Sequence, residues 1–268
     1  MMRKEFLQLA LAKARSTPPK AFQTTLTSIS SWPFTVDRPP STSRPTTIAV
    51  LDSSFNPPTV AHYHLLKAAA RKAVPGCDAV LLLLAMNNVD KGQTGASAIE
   101  RLEMMEALAL ECIRDEREET ALRHMAVGLT IHARFIDKAQ PILDSYPPET
   151  VRLSWIMGHD TLTRLLDPKY YKDIKVDLSP FFERNHAICS TRPDYGTRED
   201  LDRVIKQSGH ADKVTLVEIE AEDEAIATMS STIVRKAVQN KDWNLVKSCV
   251  MPSVEKIIIA NDLYSGTE

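Results

Sequence analysis

"VLDSSFNPPTVAHYHLL", Val50 to Leu66, is the stretch from which the rest of the chain is read. An apolar run, Ile48–Leu51, stops at Asp52. Ser53, Ser54, Phe55, Asn56 and the pair Pro57-Pro58 follow, and then an amphipathic run begins with His62 in its first turn. A plain connector needs only a Gly or an Asn and a capping residue. This one stands where a strand passes into a helix, and it carries far more chemistry than a turn requires. A helix N-terminus offers unpaired N–H groups and about half a positive charge, a natural seat for phosphate. Ser53 and Ser54 are small enough to let backbone approach a ligand. Pro57 and Pro58 stiffen the turn, Thr59 is placed to cap the helix, and His62 can reach an anion held over the helix end. The plainer reading of the same residues is a Thr-capped helix with a stiff entry and an exposed His.

Outward from this stretch the pattern alternates. Ile48–Leu51 reads as a strand and 60–74 as a helix. "DAVLLLLA", Asp78–Ala85, has no polar alternation, as a strand buried on both faces requires. A polar loop leads to a helix from Ala98 to about Glu118, where Leu102, Met105, Ala109 and Cys112 recur at three- and four-residue steps. "VRLSWIMG" (Val151–Gly158), "HAICS" (His186–Ser190) and "VTLVEIE" (Val214–Glu220) read as further strands with helical stretches between them, and the chain after Met229 reads as helical. Such alternation predicts an α/β fold, a Rossmann-like, mostly parallel sheet flanked by helices, with a C-terminal helical segment. Ligands of that architecture sit beyond the carboxyl ends of the strands, where strand order reverses.

Residues 1–46 differ in kind. "EFLQLALAKARS", Glu5–Ser16, has helical periodicity, and a Ser-, Thr- and Pro-rich segment follows. These residues are expected to form an N-terminal arm whose helix docks on the core, with the main domain over 47–268. A basic, Ser-rich start also fits a mitochondrial presequence, but Glu5 and Asp37 weigh against it. The expected location is cytoplasmic and/or nuclear. The 268 residues, 43% of them hydrophobic, suffice for a large core, and a net charge of −2 gives no global basic field for nucleic acid or membrane. The four cysteines form no CxxC pair, which disfavours zinc and a disulfide framework. The longest apolar run, Ala79–Met86, is too short to span a bilayer.

A second loop-to-helix junction, "MSSTIVRKAV" (Met229–Val238), has the same character. Ser230 is a plausible N-cap, Ser231 and Thr232 set hydroxyls beside free N–H groups, and Arg235 lies one turn beyond Thr232 on the same face. Hydroxyls, N–H groups and a guanidinium at one spot suit a polyphosphate; the plainer reading of the same residues is a capped helix with a solvent-facing Arg.

Taken together, the two junctions resemble those of the HxGH nucleotidylyltransferases. Within these the chain is similar to the nicotinamide/nicotinic acid mononucleotide adenylyltransferases of the eukaryotic type. "SSFNPPTVAH" matches the first signature through Ser54, Phe55, Asn56, Pro57, Thr59 and His62, and "MSSTIVR" matches the last. Between them, "WIMGHDTL" matches a strand ending in G-x-D at Gly158 and Asp160, and "CSTRPDYG" one ending in Thr191-Arg192. The matches run from Ile48 to Tyr264 and leave the N-terminal arm outside. Departures are Ser53 for the leading Gly, His159 for the usual Ala, and Tyr171 where the ring-stacking Trp is expected.

The resemblance implies transfer of the adenylyl group of ATP to nicotinamide or nicotinate mononucleotide, with Mg²⁺ carried by the ATP phosphates rather than by a protein site. His62 and Arg235 are the implied catalytic residues. Ser54, Phe55, Thr59, Gly158, Asp160, Arg192, Ser231 and Thr232 join them in binding ATP. Ser54, Phe55, Lys91 and Tyr171 are implied for the mononucleotide, with Phe135 or Trp155 as the second ring wall. Trp155 lies within a strand and reads better as core. Arg101, on the helix after the polar loop, reads equally as a surface charge. Two alternatives stand beside this reading: another HxGH transferase such as a cytidylyltransferase, or a nucleotide-binding regulatory homologue with weak transferase activity. Oligomeric state and the choice between amide and acid leave no mark in the motifs.

Overall fold

The computed structural model describes residues 2–16, 22–72, 76–86, 95–191, 198–218 and 229–266. Among the described residues seven strands form one sheet: β1 (Phe22–Thr27), β2 (Thr46–Ser53), β3 (Ala79–Ala85), β4 (Met125–Thr130), β5 (Val151–Gly158), β6 (Asn185–Thr191) and β7 (Val214–Glu218). Their order is β1-β4-β3-β2-β5-β6-β7. Every pairing is parallel except β1 with β4. The Rossmann-like α/β fold read from the alternation is the fold observed. After β2 the chain goes to β3 on one side and later returns to β5 on the other, so strand order reverses between β2 and β5. The crevice at their carboxyl ends is the place where such sheets bind ligands.

The buried strands show why their sequences lack polar alternation. In β2, Ala49 and Leu51 face one core cluster while Ile48 and Val50 face the other. In β3, Val80, Leu82 and Leu84 point one way and Ala79, Leu81 and Leu83 the other. Helices cover both faces, so the side chains of β3 and of β2 up to Leu51 are buried. The first face packs on the helices Val60–Lys72, Ala98–Asp115 and Ser231–Gln239, and on the C-terminal helices Trp243–Cys249 and Pro252–Ala260. The second packs on Phe135–Leu143, His159–Leu165, Ile174–Phe182 and Arg198–Ser208. The helix at Ala98 starts on a reciprocal cap: Ser97 Oγ takes the Glu100 N–H at 3.3 Å, and the Glu100 carboxylate takes the Ser97 N–H at 2.7 Å.

Two strands lie outside the sequence reading. β4, "MAVGLT", carries a glycine at its centre, which weakens any strand pattern. A Cβ on Gly128 would stand 2.8 Å from the Phe22 ring and 3.1 Å from the Gln23 carbonyl oxygen. The glycine is therefore what lets β1 lie against β4. β1 itself comes from the segment that composition marks as arm. The helix Met2–Ser16 does pack on the core, burying Leu7, Ala10, Leu11 and Ala14. Arg3 pairs with Glu106 and donates to the Thr25 carbonyl at 2.8 Å, tying the helix to both its neighbours. No helix among the described residues is long and apolar enough to cross a membrane.

Candidate active site

Two adjoining cavities of about 360 and 540 Å³ open at the carboxyl ends of β2 and β5, with Asp52, Ser53, Phe135 and Thr161 in the walls of both. The first is lined by His62, Gly158, Asp160, Ser190 and Ser231 among others. The second is lined by Ser54, Lys138, Arg164 and Tyr171 among others. The sheet's switch point, reached from topology, and the two sequence junctions thus meet at one place.

His62 sits in the first turn of its helix, and its ring orientation follows from a local loop. The Thr59 N–H donates to His62 Nδ1 at 3.0 Å, and the Thr59 hydroxyl lies 2.9 Å from the same nitrogen. A backbone N–H can only donate, so Nδ1 accepts and the neutral ring carries its proton on Nε2. Nε2 stands 3.1 Å from Ser53 Oγ, on the first cavity wall. The Phe55 ring, fully buried, backs the imidazole with centroids 5.1 Å apart. The sequence suggests Thr59 as a helix cap. Its 1% exposure and its contact with His62 make it the residue that aims the imidazole.

The loop between β2 and this helix is braced from three distant segments. Arg235 donates to the Asn56 carbonyl at 2.9 Å and to Thr232 Oγ1 at 3.3 Å. The Ser231 hydroxyl donates to the Pro57 carbonyl at 2.7 Å. Asn56 Oδ1 accepts from the Ala96 N–H and from the Tyr264 hydroxyl, both at 3.0 Å. Gly95, at φ +93°, is required here: a Cβ would come within 2.5 Å of the Asn56 amide. Arg101 is 4% exposed and donates to the carbonyls of Ala96 and Ser54 at 2.8 and 3.4 Å. It is a brace of the site loop, not a surface charge. Ser230 caps the Ser231 helix through the Ile233 N–H, as its sequence suggests.

Gly158 and Asp160 reach the first cavity from the end of β5. A Cβ on Gly158 would meet no atom within 4 Å, so the space it leaves belongs to the cavity. Asp160 stands at the rim with its side chain 61% exposed. Phe55 and Thr232 lie outside both cavity walls, the first in the core and the second exposed. Tyr171 lines the second cavity, its ring half-buried and its hydroxyl donating to the Leu165 carbonyl at 2.6 Å. The aromatic facing both cavities is Phe135, edge-on to Trp155 at 5.2 Å. Trp155 is core, fully buried with its indole N–H on Asn185. Lys91 and Arg192 lie outside the described residues.

His159, the departure from the usual Ala, belongs to the first cavity wall. Sequence reasoning passed over two groups. Ser190 carries a buried hydroxyl beside that cavity with no hydrogen-bond partner among the described residues. Beneath the second cavity, Lys138 and Asp52 form a buried ion pair, their side chains 1% and 7% exposed. Burial drives the Asp52 carboxyl up from its ordinary value, against the Lys138 charge and hydrogen bond. An acid ending an apolar strand, and a lysine one turn after Phe135, were the available signals. Among the described residues no three His, Cys, Asp or Glu side chains gather as a metal-binding group.

Residues 50–237 match a family model described as cytidylyltransferase-like. A Schizosaccharomyces pombe protein assigned as a nicotinamide mononucleotide adenylyltransferase is 30% identical over 226 residues, which span 79% of this chain and 83% of that one. Two solved structures of Plasmodium falciparum nicotinic acid mononucleotide adenylyltransferase, complexed with APC and with NaAD, align with TM-scores of 0.61 and 0.59. They are 15% and 16% identical, over 83% of this chain and 98% of theirs. At that identity the likeness is one of fold.

Proposed function

The chain belongs to the cytidylyltransferase-like family, within it to the pyridine mononucleotide adenylyltransferases, and is a nucleotidyltransferase; from that premise we propose that it joins ATP to nicotinamide or nicotinate mononucleotide. The products are NAD, or its deamido form, and pyrophosphate. An oxygen of the mononucleotide phosphate attacks the α-phosphorus of ATP. The bond from that phosphorus to the oxygen bridging to the β-phosphate breaks, and pyrophosphate leaves with the electron pair. The nucleophile is already an anion, so no protein base and no covalent intermediate is required. Catalysis then consists of positioning and charge stabilisation.

In this reading the first cavity takes ATP. His62 donates from Nε2 to the α-phosphate as charge builds, exchanging its contact with Ser53. Arg235, Ser231 and Thr232 hold the β- and γ-phosphates at the helix N-terminus. Asp160, beside Gly158, takes the ribose hydroxyls, and Arg192 shapes the adenine end. Mg²⁺ enters as part of the substrate, on phosphate oxygens and water. The second cavity takes the mononucleotide, its ring between Tyr171 and Phe135, with Ser54 and Phe55 offering backbone and Lys91 a charge. The observation that carries the reading is the His62 imidazole, held by Thr59 with its one donor against Ser53, a residue in the walls of both cavities. The relatives' assignments, and the NaAD in one structure of the same fold, support it. The test is a screen of ATP and CTP against pyridine mononucleotides and other phosphorylated acceptors, with product mass measured. A dinucleotide from ATP and a pyridine mononucleotide is expected; a product formed only with CTP, or only with another acceptor, overturns the assignment.

A further inference from the structure

β2 is apolar from Ile48 to Leu51 and then ends on an acid. By the alternation of the strand, Asp52 lies on the face of Ile48 and Val50, the face that also holds Phe135, Trp155 and Tyr171. There it pairs with Lys138, whose ammonium donates to Asp52 Oδ2 and lies 5.1 Å from the centre of the Phe135 ring. The other carboxylate oxygen, Oδ1, is buried and has no hydrogen-bond partner among the described residues. Asp52 borders both cavities and Lys138 the second.

An ion pair serving only the fold is a poor investment. Well-packed apolar residues of similar volume do as well or better, and a buried pair is favourable only when its remaining acceptors are satisfied. Here one acceptor is left over, next to the rings between which the substrate is proposed to stack. The missing donor is one that a ligand brings. The ammonium, for its part, has donors beyond the one that Asp52 takes. A donor and an acceptor side by side at the edge of a ring-binding slot match a primary carboxamide, which presents a carbonyl oxygen and an N–H on one carbon.

Resting on the pyridine mononucleotide reading above, we infer that the Asp52–Lys138 pair recognises the ring substituent and selects the amide over the acid. Asp52 Oδ1 accepts from the carboxamide N–H, and Lys138 donates to the carboxamide oxygen. A carboxylate substituent brings no donor, leaves Asp52 unsatisfied, and sets two negative groups together in a site screened from water. The opposing charges are Arg134 and Arg164, which line the same cavity. Both are exposed, and Arg134 is paired with Asp137, so solvent weakens their pull on an acid. The buried acceptor decides.

The experiment compares kcat/KM for nicotinamide mononucleotide and nicotinate mononucleotide, at saturating ATP, in the wild-type chain and in Asp52→Asn. Asn keeps the volume and can hold Lys138 through its oxygen while turning an N–H₂ group toward the ring. The wild type is expected to favour the amide by about ten-fold or more, the scale of a buried hydrogen-bond mismatch. In Asp52→Asn that ratio should fall about ten-fold, by loss with the amide and gain with the acid. A residue that serves only stability would move both substrates together. A wild-type ratio at or below one overturns the inference even if the variant does not fold. A folded variant with an unchanged ratio also overturns it, and in both cases the adenylyl-transfer reading stands. Turnover of neither mononucleotide overturns that reading and this inference with it.

Discussion

At the His62 end of the cleft the working groups are tied to backbone. The Thr59 N–H fixes the imidazole, the Asn56 carbonyl holds Arg235, and the Pro57 carbonyl takes the Ser231 hydroxyl. At the Tyr171 end the walls are rings, Phe135 and Tyr171, above a single buried ion pair. The first end is suited to an anion whose charge changes during reaction, since fixed donors need not reorganise. The second is suited to a flat ring, which a π-face holds without much regard to its substituents. On the proposed reading, polar geometry governs rate at one end, while at the other packing holds the ring and the buried pair reads its substituent. Substitutions at the two ends should fail in different measurements.

The largest effect expected is on stability, from the aromatic end. Lys138→Met leaves Asp52 buried without its cation. Breaking a buried pair costs about 3–5 kcal/mol, which for a chain of this size lowers the melting temperature on the order of 10 °C. Adding Asp52→Leu should restore most of the loss in a thermal melt. If the single variant melts with the wild type, the pair is not what holds this end. Next is His62→Ala at the polar end, where kcat should fall by about 10²–10³ while the ATP KM and the melting temperature stay close to wild type. Near-normal turnover would remove the imidazole from the mechanism and erase the contrast in rate.

Arg235→Lys keeps the charge but turns a fork into a point donor. Its bonds to Asn56 and Thr232 cannot both be reproduced, and ATP binding by isothermal titration should weaken about ten- to a hundred-fold, the range for hydrogen bonds to charged groups. Unchanged affinity would return "MSSTIVR" to a capped helix and no more. The smallest effect is Tyr171→Ala. Loss of one ring wall should raise the mononucleotide KM by about ten-fold, with the ATP KM nearly unchanged, because a cationic pyridinium gains roughly 0.5–2 kcal/mol from a ring face. Tyr171→Trp should match or improve on the wild type. If both KM values rise together on Tyr171→Ala, the two ends are not separable and the comparison fails.

Much of this molecule is written locally in its chain. Unbroken apolar runs mark β2 and β3, because a strand covered on both faces has no polar side to show, and shorter apolar stretches mark β5, β6 and β7. The His62 and Ser231 helix entries are legible because caps, prolines and short spacings act within a few residues. The aim of the imidazole is equally local, since Thr59 and His62 are three residues apart. β4 is hidden by Gly128, whose reason is the Phe22 ring from a segment about a hundred residues earlier. Arg101 reads as either a surface charge or something more until its carbonyl partners are seen. The braces on the site loop join Asn56 to residues 179 and 208 positions away, Arg235 and Tyr264, and Asp52 meets Lys138 across 86. Periodicity and capping are short-range signals and say nothing about such pairs. Folding the sheet with its order reversed between β2 and β5 brings them together, so tertiary structure alone decides which acid is buried, which lysine answers it, and which carboxylate oxygen is left without a partner among the described residues.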